Sequence, residues 1–259
     1  MKIVIATIKS WNIQHGENLK RKYKDRHEIK IITEREKLNL EMLDFFRPDF
    51  IFFPHWSYRI PESIYGKYTC VVFHMTDLPF GRGGSPLQNL IVRGIKETKI
   101  SAIQVQKEMD AGPVYMKEKL SLEGSAGEIF QRASDVIFEK MIPRFWEETI
   151  LPEDQKGEPV IFKRRTEAES ELSPNMDLPK IYDYIRMLDG EGYPNAFLCF
   201  GKYKLSFWDA RLSDGRLSAR VMIEEKSEQK GSKINLNNTI NVLEKRKNEC
   251  DFGGSSTSG

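Results

Sequence analysis

A histidine that follows directly on an apolar run is the first residue in this sequence with the means to do chemistry. Cys70-Val71-Val72-Phe73 has the composition of a buried strand, and His74 comes next. A short segment then leads to Gly81-Arg82-Gly83-Gly84, and Ser85-Pro86 follows with a helix-start signature, a capping Ser before Pro at the first helical position. Glycine lets backbone approach a ligand closely. A helix N-terminus offers free N–H groups to an anion or oxyanion, and Arg82 adds a cation. An imidazole in such a setting can move a proton or steady a developing negative charge. The loop is not of the Walker type, because no Gly-Lys-Ser/Thr follows, and it is not a dinucleotide fingerprint, because the glycines do not follow the first strand. Spacing alone leaves open that His74 is a strand-end histidine satisfied by hydrogen bonds. A second polar candidate, Asp110, opens the turn Asp110-Ala111-Gly112-Pro113; taken alone it reads as an ordinary turn residue.

The elements that must position these residues alternate. Strand signals cover Lys2 to Thr7, Glu28 to Thr33, Asp49 to Phe53 and Cys70 to Phe73, with helix-compatible stretches at Asn12 to Tyr23 and Leu38 to Phe46 between them. Leu87 to Gly94 reads as a helix. Ile100 to Met109 and Val114 to Leu120 read as two further strands, and Ser125 to Ile150 as one long amphipathic helix with Ser125 as cap and Glu128 three residues on. The pattern predicts an α/β chain: a Rossmann-like, mostly parallel sheet with helices on both faces, plus a small C-terminal unit containing a β-hairpin. In such sheets ligands bind beyond the carboxyl ends of the strands. The expected division is a domain at 1–152, a linker at 153–176, a small unit at 177–224 with a hairpin around Gly201-Lys202, and a polar, disordered tail at 225–259.

Composition narrows the field. The 259 residues carry 40 basic and 38 acidic side chains, a net charge of +2, which gives no general electrostatic pull toward nucleic acid. Cys70, Cys199 and Cys250 are three, an odd number far apart, so a reducing, cytoplasmic setting is expected rather than a disulfide framework. No Cys/His cluster has zinc spacing, and the apolar start Ile3-Val4-Ile5-Ala6 is too short for a signal peptide or a membrane span.

Leu78-Pro79 through Arg82-Gly83, with Ser85-Pro86 and Gln88 after it, resembles the signature loop of the folate-dependent formyltransferases. That group includes enzymes acting on methionyl-tRNA, on glycinamide ribonucleotide and on nucleotide sugars. Lys107-Glu108-Met109-Asp110-Ala111-Gly112-Pro113-Val114 is similar to a shortened form of the same family's second motif, in the same order along the chain. Gly190-Glu191-Gly192-Tyr193-Pro194-Asn195-Ala196 is a weaker echo of the C-terminal parts of these enzymes. The resemblance covers roughly residues 1 to 150. It implies transfer of formyl from 10-formyltetrahydrofolate to a primary amine, without a metal. His74 would then stabilise the oxyanion or shuttle a proton, and Asp110 would orient it.

One position departs from the family pattern. The family places an Asn two residues before the His, where this chain has Val72, which has no side-chain donor. Asn12, or a backbone N–H of the Gly81–Gly84 loop, is the expected substitute. The resemblance further implies that Trp56, Tyr58, Ile60, Arg82 and Gly83 line the folate site. It places Ser10, Trp11, Thr76, Asp77 and Tyr193 toward the acceptor, with Trp11, Tyr193 and Phe207-Trp208 available for base stacking or for core packing. The near-neutral charge and short tail unit favour a small nucleotide-linked amino sugar over a nucleic acid, by resemblance a UDP-linked 4-amino-4,6-dideoxy sugar of a pseudaminic-acid-type surface-polysaccharide pathway. Three alternatives stay open: a methionyl-tRNA formyltransferase-like enzyme, a non-catalytic folate or nucleotide-sugar binding protein, and a deformylase. A homodimer sharing the C-terminal hairpin also stays open.

Overall fold

Apolar runs of four or five residues build one half of the central sheet. A computed structural model describes residues 1–226. Its first four strands are β1 (Lys2–Ala6), β2 (Glu28–Ile32), β3 (Phe50–Phe53) and β4 (Cys70–His74), joined by helices α1 (Ser10–Lys22), α2 (Leu40–Phe46) and the single turn α3 (Glu62–Tyr65). β1 pairs in parallel with β2 and β3, and β3 pairs in parallel with β4. Successive side chains of a strand point to opposite faces. Accordingly Ile3 and Ile5 enter one core cluster with Phe52, Val71 and Phe73, while Val4 and Ala6 enter another with Ile51, Phe53 and Cys70. Burial on both faces is why these strands read as continuous apolar runs.

Strand β5 (Phe80–Gly83) and helix α4 (Pro86–Ile91) follow, then β6 (Glu97–Gln104) and β7 (Val114–Ser121). The sheet order is β2-β1-β3-β4-β6-β7, with the last two joins antiparallel, so the expected mostly parallel α/β sheet is present with an antiparallel edge. β6 stops at Gln104, earlier than the expected Met109. The expected helix at Ser125 to Ile150 is instead α5 (Ala126–Asp135), a π-helical stretch at Val136–Met141, and α6 (Ile142–Glu147). Pro143 explains the interruption, because it has no N–H for the carbonyl four residues back and its ring crowds that carbonyl. The N-terminal cap stands as read: Ser125 Oγ accepts from Glu128 N at 3.3 Å and Glu128 Oε2 accepts from Ser125 N at 2.7 Å.

The segment expected to be a linker is built into the fold. β8 (Val160–Phe162) pairs in parallel with β5, and Phe162, which is buried, packs its ring edge-on to Phe80 at 5.3 Å. Leu172 is buried and donates its N–H to Phe197 O at 2.7 Å. Helix α7 (Leu178–Arg186) starts at Asp177, whose side chain accepts from Lys180 N at 2.9 Å. Strands β9 (Ala196–Phe200), β10 (Tyr203–Ser213) and β11 (Arg216–Glu225) form an antiparallel sheet in the order β11-β10-β9. The expected turn at Gly201-Lys202 is there, and β11 extends the hairpin to three strands. Residues Met1–Ile223 form one compact unit. Among the described residues no helix is long and apolar enough to cross a membrane. Cys70 is buried, Cys199 half-buried, and both are free; Cys250 and the expected tail from residue 227 on lie outside the described residues.

Candidate functional site

His74 is the last residue of β4, so its side chain shares a face with Val72 and leaves the sheet at its carboxyl end. Val72 packs on the core cluster that holds Phe53 and Ile60. The His74 Nε2–H donates to Gly81 O at 2.7 Å, because a carbonyl can only accept. Nδ1 lies 3.6 Å from Asp110 Oδ1. In the singly protonated ring Nδ1 would present a lone pair to a carboxylate. A second proton, on Nδ1 or on Oδ1, makes the contact attractive. At 3.6 Å the imidazole edge and the carboxylate are in ion-pair range and not hydrogen-bonded. The His74 side chain is 10% exposed and that of Asp110 15%, so both are reachable yet largely withdrawn from water.

The turn that carries Asp110 is held by its neighbours. Asp110 sits in the left-handed region at φ 54, which Asp tolerates better than most residues. Its Oδ2 accepts from Gly83 N at 2.8 Å. Gly83 has φ +104, and a Cβ there would stand 2.4 Å from Phe162 O, so β5 can lie against β8 only with glycine at this position. Gly112 meets the same limit, since a Cβ would fall 1.8 Å from Gln104 O. Gln155 completes the arrangement. Its Oε1 accepts from Arg82 Nε and Nη2 at 3.0 and 2.8 Å, and its Nε2 donates to Asp110 O and Gly112 O, each at 2.8 Å. Sequence reading missed Gln155 because it sits in a polar stretch that gives no local sign of packing. Arg82, expected to meet folate, has two of its donor groups engaged within the protein.

Asn12 is not free, and two of the loop N–H groups expected as substitutes for the missing Asn, those of Gly83 and Gly84, are engaged within the protein. Asn12 was expected to end a loop and face the crevice, but α1 begins at Ser10, so Asn12 lies in its first turn and is fully buried. Asn12 Oδ1 accepts from Ser134 Oγ at 2.5 Å, and Nδ2 donates to His55 Nδ1 at 2.9 Å. In the glycine loop, Gly83 N–H is taken by Asp110 and Gly84 N–H donates to Phe162 O at 3.1 Å.

Two further expectations need correction. Thr76 is fully buried, with its hydroxyl donating to Gly81 O at 3.3 Å, so it supports the loop and has no surface for an acceptor. Asp77 is engaged by Lys99 at 2.9 Å and Lys117 at 2.5 Å, on β6 and β7. Burial pushes the Asp77 carboxyl up, but hydrogen bonds from Lys117 and Lys99 outweigh it and hold it below the usual carboxylate range.

The aromatics around α1 and α5 pack in a row. Trp11 stacks on Phe130 at 6.0 Å, and Phe130 stacks on Tyr193 at 5.5 Å. Phe207 also packs on the core. These rings follow the packing alternative left open by the sequence. Ser10 Oγ donates to Glu191 Oε2 at 2.9 Å, tying the start of α1 to the residues before Tyr193. Beside this row lies His55, in the polar segment after β3, for which the sequence suggested no role of its own. Asn12 Nδ2–H occupies its Nδ1 lone pair, so the ring proton is on Nε2, which is buried and has no hydrogen-bond partner. Burial, and then the charge of Lys9, push the His55 imidazole down to about 4.

After β3, Trp56 meets Tyr58 edge-on at 5.3 Å and Phe53 at 6.0 Å. Tyr58 is exposed, with the Arg35 guanidinium 5.4 Å from its ring, whereas the Ile60 side chain is buried in the core. Among the described residues no group of three His, Cys, Asp or Glu side chains is arranged to hold a metal ion.

Known proteins resemble this chain. The family described as methionyl-tRNA formyltransferase, C-terminal domain, matches residues 167–224. A solved structure named methionyl-tRNA formyltransferase, from Clostridium thermocellum, is 53% identical with a TM-score of 0.85, covering 87% of this chain and 100% of its own. The methionyl-tRNA formyltransferase of Lactobacillus acidophilus is 31% identical over 147 residues, 54% of this chain and 46% of that protein. A sugar N-formyltransferase from a Shewanella species shares the fold at 12% identity, with a TM-score of 0.60 over 88% of this chain and 99% of its own. The chain spans about half the length of the curated relatives it matches.

Proposed function

This chain belongs to the formyltransferase family, and from that premise we propose that it moves a formyl group from 10-formyltetrahydrofolate to a primary amine. The observation that carries the proposal is the His74–Asp110 pair, 3.6 Å apart at the carboxyl end of β4. The neutral amine attacks the formyl carbon, a C–N bond forms, and the carbonyl oxygen takes up negative charge. His74 Nε2–H turns from Gly81 O to that oxygen. Asp110 holds the opposite edge of the ring and balances the imidazolium. As the intermediate collapses, the bond to the folate nitrogen breaks; the attacking amine gives up a proton, and the His74–Asp110 pair relays one to the leaving nitrogen. Val72 contributes no donor, so His74 is the side-chain donor to the oxyanion in this reading. One such donor is worth roughly 10²–10³-fold in rate, and turnover is expected to be lower by about that factor than with an amide at position 72. Half-exposed Trp56 and exposed Tyr58 suit a flat ring system such as a pterin.

For the acceptor we favour a nucleotide-linked amino sugar. The supporting observation is the net charge of +2, since binding to a polyanion such as tRNA draws on a marked positive field. The second reading, methionyl-tRNA, is favoured by the 53% identity to the Clostridium thermocellum protein. The test is to incubate the purified chain with 10-formyltetrahydrofolate and, separately, UDP-, TDP- and GDP-linked 4-amino sugars and methionyl-tRNA, and to seek formylated product by mass. Formylated sugar without formylated tRNA supports the first reading, and the reverse replaces it with the second. Formate release without any amine would mark a deformylase, and no product from any acceptor would overturn formyl transfer.

A further inference from the structure

We propose that Gln155 is a positioning residue of this site, one that holds the Asp110 turn against β5 so that the carboxylate meets His74. The proposal deepens the formyl-transfer reading and rests on it for its kinetic arm alone. An amide side chain has two N–H donors and an oxygen with two lone pairs. In Gln155 all four are used: Oε1 takes two N–H groups of Arg82, and Nε2 gives to Asp110 O and Gly112 O. That pattern fixes the amide orientation, since a guanidinium can only donate and a carbonyl can only accept.

Besides Gln155, the turn is held by Gly83 N–H on Asp110 Oδ2 at 2.8 Å and by Gln104 N–H on Pro113 O at 2.9 Å, and Gln155 is the side chain that holds the carbonyls of Asp110 and Gly112. Ala111 N reaches Glu108 O only at 3.4 Å, and Asp110 is in the left-handed region. Gln155 itself is anchored two residues upstream, where Glu153 and Val114 exchange backbone hydrogen bonds of 2.7 and 2.9 Å at the start of β7. One side chain thus connects Arg82 on β5 to two carbonyls of the turn, Asp110 O and Gly112 O, while the Glu153 backbone ties the same segment to the strand that follows. Loss of the two Nε2 contacts frees Asp110 O and Gly112 O, and Asp110 Oδ2 then drifts from Gly83 N. A displacement of about 1 Å at a reacting group can cost ~10²-fold in rate.

Two substitutions in the full chain separate the roles. Gln155→Glu keeps an acceptor for Arg82 and loses both donors to the turn, whereas Gln155→Met loses all four contacts at similar volume. Formylation kinetics give kcat and KM, and amide hydrogen exchange by NMR reads Gly83 N–H, with Ile103 N–H in β6 as the control for global unfolding. Both variants are expected to lose roughly 10–100-fold in kcat, with KM for 10-formyltetrahydrofolate within about twofold of wild type. Gly83 exchange is expected to quicken at least roughly tenfold while Ile103 is unchanged. Should Gln155→Met fail to fold, Gln155→Glu decides alone. Gly83 exchange at the wild-type rate in Gln155→Glu overturns the proposal, because Arg82 would then be the only partner that matters. If wild type transfers no formyl group, the functional reading falls, and Gly83 exchange still tests the positioning.

Discussion

Acidification should weaken this fold through the His55 imidazole, with a contribution of the same sign from His27, which burial also holds below its ordinary value. His55 cannot take a second proton without displacing the Asn12 Nδ2–H that occupies its Nδ1. Burial first, and Lys9 second, hold it down to about 4, against an ordinary value of 6.5. An unfolded chain would bind this proton near pH 6.5, so between pH 6.5 and pH 4 the unfolded state carries more protons than the native one. Stability then rises with pH across that window. Above it both states are neutral and His55 contributes no slope; below it the loss is complete. A tenfold difference in proton affinity is worth about 1.4 kcal/mol, so the whole window amounts to about 3 kcal/mol. The residue as a whole keeps some exposure, so water relaxation brings the expected figure to about 2–3 kcal/mol. Urea unfolding of wild type and His55→Gln at pH 7, 6, 5 and 4.5 measures it. The variant is expected to be the less stable at pH 7 and to converge on wild type as pH falls. Parallel profiles for the two proteins would refute the reasoning.

Other perturbations probe the site more directly. His74→Ala and Asp110→Ala should each lower turnover by at least ~10²-fold while the folded fraction by circular dichroism is retained, with the double variant little worse than the poorer single; normal turnover in a folded His74→Ala protein would remove it from the reacting centre. Gly83→Ala, with its Cβ 2.4 Å from Phe162 O at φ +104, should cost about 2–4 kcal/mol in urea unfolding, and an unchanged midpoint would show that β5 can shift freely against β8. Asn12→Ala leaves His55 Nδ1 without its donor while Ser134 Oγ keeps Phe130 O at 2.9 Å, so about 1–3 kcal/mol of stability should go, while turnover per folded molecule stays within about threefold. A ~10²-fold fall in a folded Asn12→Ala protein would instead return Asn12 to the chemistry.

The strands that carry the site were legible because Ile3-Val4-Ile5-Ala6, Phe50-Ile51-Phe52-Phe53 and Cys70-Val71-Val72-Phe73 are buried on both faces and therefore lack polar interruptions. His74 stood out for the same reason, as a polar residue placed where a buried run ends. Strand β8 was not legible: Val160-Ile161-Phe162 is three residues long, lies among Glu, Lys and Pro, and buries only Phe162. β11 escaped notice because Arg, Ser and Glu alternate with its apolar residues and nearly all of it is exposed. The π-helical stretch had a visible cause, Pro143, whose effect was not drawn from the pattern. Asn12 misled because a helix starting at Ser10 instead of Asn12 turns its side chain from crevice to core, and Lys9-Ser10-Trp11 carries no side-chain cap to mark the earlier start. Gln155 had no local mark at all, since its role comes wholly from contacts with residues 43 to 73 positions away.

The pairing of β5 with β8 also bears on when the protein becomes whole. Phe80 lies beside Val160, so a nascent chain that already contains His74 and Asp110 still waits for the partner of the strand holding Gly83. At ~5–20 residues per second, the wait for the roughly 50 residues from Asp110 to Phe162 is on the order of 3–10 s. Throughout it the glycine strand is an open edge on the ribosome-bound chain, in want of a chaperone or a transient cover.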